Sequence, residues 1–251
     1  MFVSNPFTLL SQFISPIFMQ VYMALVIVAV AIGTWLDTYH KGSAKFFMRR
    51  REKARAAARR QVTAVEITTL AAKTIGEAVV SGEFGRGKRR VSHLLIMYGF
   101  LLNVITTFIM VYGYITAADT PTVLPALWDI GALMMVGAGL WFFFYLRVNI
   151  AFDGDPPFSL GRADLFIGSV IASAAFALIW HFVETVSADA TVNLIFFGLY
   201  LLFTTLLFGS VFWSKFAHMF YKPMVAFERK IEEAGGASDL PSLARGRSGG
   251  S

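Results

Sequence analysis

Five apolar stretches, at roughly 17–38, 91–117, 126–147, 163–186 and 192–217, are each long enough to cross a bilayer. In lipid an open sheet would leave its backbone polar groups unsatisfied, so every crossing must be a helix. The basic residues then fix the direction of each crossing. All 22 Lys and Arg fall on one side: 1–16, 118–125 and 187–191 hold none, and 41–90 alone holds fourteen. The positive-inside rule places the N-terminus outside and the C-terminus in the cytoplasm. The expected fold is an all-α membrane protein: a five-helix transmembrane bundle with a helical, basic cytoplasmic insertion. A bacterial inner-membrane, multi-pass location follows.

This layout divides the chain into an outer interfacial segment 1–16, a first span 17–40, the insertion 41–90, spans 2–5 within 91–230 and a disordered tail 231–251. Segment 1–16 reads as a short amphipathic stretch at the outer interface, and it lacks the basic n-region of a cleavable signal peptide. Residues 44–80, rich in Ala, Arg, Lys and Glu and free of Pro, predict a helix. The last span should stop before Pro223.

A net charge of +6 in a soluble protein would raise nucleic acid as a partner. Here the charge belongs to the cytoplasmic loops and to anionic headgroups, and no recognition motif accompanies it, so nucleic-acid binding is set aside. The chain has no cysteine, which excludes disulfides and cysteine-ligated iron–sulfur clusters within it. Any electron path needs another carrier. The Gly85–Arg90 run lacks Walker spacing, and the Asp153–Pro157 run is turn chemistry. The acids Asp37, Asp129 and Glu184 fall at span ends, where solvation is cheap.

Chemistry therefore rests on four histidines. His40 closes span 1 and His93 opens span 2, both at the cytoplasmic face; His218 ends span 5 at that face. Two imidazoles at one depth on separate helices can hold one haem iron from both sides. His93 and His218 are the expected pair, with His40 in reserve. The rival reading makes each an interfacial polar residue. His181 stands alone near the outer end of span 4, above a stripe of Ser173, Ala174 and Ala177. It suggests either a haem with Met110, Met134 or Met135, or a quinone bound with Glu184; helix packing also explains the stripe. The insertion, with Arg49, Arg50, Arg51, Arg59 and Arg60, is either a loop resting on the membrane or a docking arm for soluble subunits.

The segments Val91–Phe100 (VSHLLIMYGF) and Ser214–Pro223 (SKFAHMFYKP) resemble the membrane anchors of dissimilatory adenylylsulfate (APS) reductase. They are also similar to the cytochrome b part of the quinone-interacting membrane-bound oxidoreductase and, more distantly, to the nitrate reductase gamma subunit. The layout resembles these over nearly the whole chain, the motifs over about twenty residues. The resemblance implies an electron-transfer anchor with haem b ligated by His93 and His218. Soluble flavin and iron–sulfur subunits would oxidise sulfite with AMP to APS, and quinone would take the electrons. The gamma subunit holds two haems, whereas here Met110 and Tyr200 stand where an outer histidine pair would be, so one haem is expected. The alternatives are a haem-free docking anchor and, further off, a small transporter or assembly factor. Whether the subunit is itself catalytic stays open.

Overall fold

The structure, a computed structural model, describes residues 4–40, 49, 51–52, 56–80, 87–116, 119–146, 164–187, 189–210 and 218–237; the side chains of 37–40 and 218–222 lie outside that description. The described elements are helical, with no strand among the described residues. Five helices are long and apolar enough to cross a membrane: Pro16–Leu36, Lys88–Gly113, Val123–Leu146, Asp164–Val186 and Ala190–Gly209. The chain is a multi-pass helical membrane protein. Residues 211–217, the end of the fifth expected span, lie outside the described residues.

The chain divides into two compact units. The first, Met1–Thr34 with Phe84–Phe216, is the bundle. It contains α1 (Pro6–Leu10), most of α2 (Pro16–His40), α4 (Lys88–Gly113), α5 (Val123–Trp141), α6 (Asp164–Val186) and α7 (Ala190–Gly209). The second unit, Trp35–Glu83 with Ala217–Ser251, contains α3 (Ala64–Val79) and α8 (His218–Gly235). A π-helical turn, Phe142–Leu146, carries α5 onward.

In the bundle, sequence neighbours pack as neighbours: α4 on α5, α5 on α6, α6 on α7. Lipid supplies no hydrophobic drive between helices, so close approach and polar rungs hold such pairs. Gly99 and Gly131 provide the approach between α4 and α5. A Cβ on either would stand 2.7 Å from the other's carbonyl oxygen. Ser92 Oγ donates to the Ala138 carbonyl at 3.0 Å, and Asn103 Nδ2 to the Trp128 carbonyl at 3.2 Å. Ser173 and Thr204 share a 2.7 Å hydrogen bond between α6 and α7. Gln20 Nε2 donates to the Val111 carbonyl, and Tyr112 Oη donates to the Gln20 carbonyl. These two bonds fasten α2 to α4.

Three expectations change. Segment 1–16 does not simply lie on a surface: Phe7 and Leu10 are 0% and 1% exposed. The reason is local. Asn5 accepts from the Phe7 N–H, Pro6 opens the turn, and Asn5 Nδ2 donates to the Tyr114 carbonyl and to Thr120 Oγ1. Thr8 Oγ1 also donates to Tyr114 O at 2.9 Å. The polar ends are satisfied, so Phe7 and Leu10 can enter the core.

The helix expected over 44–80 is broken at 58–63, with 41–48, 50 and 53–55 outside the described residues. Thr63 and Glu66 form a reciprocal capping box that starts α3 afresh. Finally, the tail begins later than expected. The last span, α7, ends at Gly209 among the described residues, short of Pro223; a further helix, α8, holds Pro223 and runs to Gly235, five residues into the segment expected as tail.

Candidate functional site

His93 is half-buried in the opening turns of α4. Its neighbour Ser92 is fully buried and ties this end of the bundle to the last turn of α5. His40 is the last residue of α2 and His218 the first of α8. Both belong to the second unit, and their side chains lie outside the described residues. The expected pairing of His93 with His218, and the reserve role of His40, therefore rest on the sequence.

His181 is described fully, and it is 0% exposed. Its Nδ1 lies 2.9 Å from Asp129 Oδ1, and its Nε2 lies 3.1 Å from the Ser4 carbonyl oxygen. A carbonyl only accepts, so Nε2 carries a proton. One further proton lies between Nδ1 and the carboxylate, whichever of the two holds it. With both nitrogens occupied, His181 offers no lone pair to a haem iron; in this arrangement it does not fit an axial ligand. Its suggested partners are taken up too. Met110 is in the core, and Met134 and Met135 pack beside Gly99 at the α4–α5 crossing. The stripe of Ser173, Ala174 and Ala177 is buried, with α7 bonded to it at Thr204.

The pair sits in an aromatic box. Phe7 stands edge-on to Trp128 and Trp180, at centroid distances of 6.0 and 5.5 Å. Trp180 stacks on Tyr200 at 5.7 Å. Trp128 Nε1 donates to Thr107 Oγ1 at 2.7 Å. Edge-to-face geometry matches the positive rim of one ring to the negative face of the next. Beside this network lie buried polar atoms with no hydrogen-bond partner: Asp129 Oδ2, Trp180 Nε1 and both Glu184 carboxyl oxygens.

Asp129 is the residue that sequence reasoning missed. Taken as cheaply solvated, it is only 6% exposed and paired. Depth matching could have found it. Asp129 lies early in one span and His181 late in the next, which runs the other way, so the two meet at one level. Among the described residues no three His, Cys, Asp or Glu gather as a metal site.

The basic residues divide by role. Arg60 is internal to the second unit: Nε donates to the Ala234 carbonyl at 2.9 Å and Nη1 to Glu66 at 2.9 and 3.0 Å. The Thr63 backbone N–H and then the Arg60 guanidinium hold the Glu66 carboxyl below the usual glutamate range. Arg51 reaches Glu228 at 4.0 Å. Arg49 and Arg59 are exposed, and Arg50 lies outside the described residues. No family profile, curated protein or solved structure matches the chain.

Proposed function

We propose that the chain is the membrane-anchoring electron-transfer subunit of a sulfur oxidoreductase. It passes electrons between a soluble, cytoplasmic enzyme of the APS reductase type and the quinone pool. The observation that supports the anchoring half is the second unit, a basic body with its own helix pair, α3 and α8. Lys230 bonds Glu77 at 2.6 Å and Arg60 joins Glu66 to the end of α8, while Arg49 and Arg59 stay exposed for a partner. The electron-transfer half is supported by the sequence motifs around His93 and His218.

In this reading His93 and His218 hold a haem b, which supplies one-electron transfer. Their imidazoles would bind the iron and orient the group. The His181–Asp129 pair takes no ligand; it fastens the N-terminal segment and the far end of the bundle. His93→Ala and His218→Ala should each abolish the reduced-minus-oxidised visible spectrum of the purified protein while leaving membrane insertion unchanged. Retention of the full spectrum in both variants overturns the assignment.

A haem-free docking anchor is the second reading, favoured by the buried His181 having both ring nitrogens tied to protein groups. It expects no visible absorbance, with loss of partner capture when Arg49 and Arg59 become Ala.

A further inference from the structure

On α3 the inward side is formed by Leu70, Ala71, Thr74 and Ala78, and a largely uncharged side is turned to water. At 100° per residue the charged residues Glu66, Lys73 and Glu77 fall within an arc of about 40°. Two of them are spent inside the unit, Glu66 on Arg60 and Glu77 on Lys230. An arc of about 100°, away from them, carries Gly76, Val65, Ala72, Val79, Thr68 and Ile75, all of them exposed. Val65 is 75% and Ile75 63% exposed. A Cβ at Gly76 would meet nothing within 4 Å. Turning the uncharged side outward leaves apolar area in contact with water, which costs free energy unless something apolar covers it.

We propose that this face of α3 lies on an anionic lipid surface, with Val65, Ile75 and Val79 entering the boundary between headgroups and acyl chains. Charge complementarity selects lipid over a second copy. Residues 41–90 carry fourteen positive against four negative charges, so two copies would repel while anionic headgroups attract. Chain continuity acts the same way. The span Pro16–Leu36 precedes α3 and the span starting at Lys88 follows it, so both flanks of α3 are membrane-anchored. A helix with an uncharged face and basic flanks is the form that settles in a membrane interface.

The chain has no native cysteine, which allows a direct test. Ile75→Cys, Val65→Cys and, on the charged side, Lys73→Cys are labelled with bimane in the full-length protein. The protein is placed in nanodiscs of phosphatidylglycerol or of phosphatidylcholine, each with a brominated-tail lipid. In the anionic discs, brominated lipid should quench the labels at 75 and 65 at least about twofold more than the label at 73, with iodide showing the reverse order. The preference at 75 and 65 should weaken in phosphatidylcholine. Iodide access at 75 equal to that at 73 means a solvated face and overturns the proposal. Protection at 75 from both quenchers means a protein cover and also overturns it. Equal lipid quenching in both disc types removes the anionic specificity.

Discussion

At the residue scale, the most consequential contact is the hydrogen bond between His181 and Asp129. Asp129→Leu leaves a buried imidazole nitrogen without its partner, a loss of about 1–3 kcal/mol. The melting temperature in detergent should fall, and His181→Leu should lower it comparably. The double variant removes both partners, so it should be more stable than the sum of the two singles predicts; a double-mutant cycle reads that difference. Phe7→Ala, which empties the space between Trp128 and Trp180, should cost about 3–5 kcal/mol if the void stays open. Of this cluster, His181 could be picked out of the sequence as a rare buried ionisable group. Asp129 could not be picked by position alone, because a span end reads as solvated until its partner helix is known. Ser4 had no signal at all, since it contributes a backbone carbonyl.

At the element scale, the α4–α5 crossing rests on two glycines. Gly99→Ala places a methyl group against the Gly131 carbonyl, and backbone on both sides cannot yield cheaply. The expected loss is about 1–3 kcal/mol, read as thermal stability in detergent. Gly137→Ala meets nothing within 4 Å and should be neutral or slightly stabilising. In the second unit, Thr63→Ala removes the cap of α3 and should raise amide exchange in its first turn about fivefold. That same turn is pH-dependent with a definite sign. The Glu66 carboxyl lies below its ordinary range when folded, chiefly through the Thr63 backbone N–H and then Arg60. Its contribution is present above the ordinary glutamate range and is lost as pH falls through the lowered folded value. Exchange in the first turn, corrected for intrinsic rates, should therefore rise only below about pH 4. The spans were legible because apolar length is a strong signal. The Thr63–Glu66 box was legible too, as a Thr-x-x-Glu pattern, but the unbroken run of helix-forming residues before it hid the boundary. The helix α8 was hidden because its residues were read as the end of the last span and as tail.

At the scale of the whole molecule, five spanning helices make the chain a multi-pass membrane protein, and charge asymmetry sets the direction proposed for it. In spheroplasts, Asp119→Cys should react with an impermeant maleimide from outside, whereas Lys73→Cys should react only after permeabilisation; the opposite pattern inverts the topology. The run of Lys and Arg between spans 1 and 2 marked the insertion, whereas the grouping of 217–251 with it in the second unit had no local signal in the sequence. The proposed haem site rests on motifs alone, because its ligand pair belongs to two distant segments and no local pattern fixes their meeting. The account therefore turns on one quantity, the haem content of the detergent-purified, full-length chain made with an adequate haem supply, measured as a pyridine haemochrome. One b-type haem per chain is the predicted result, whereas a flat spectrum would contradict electron transfer through this subunit and leave a docking anchor in its place.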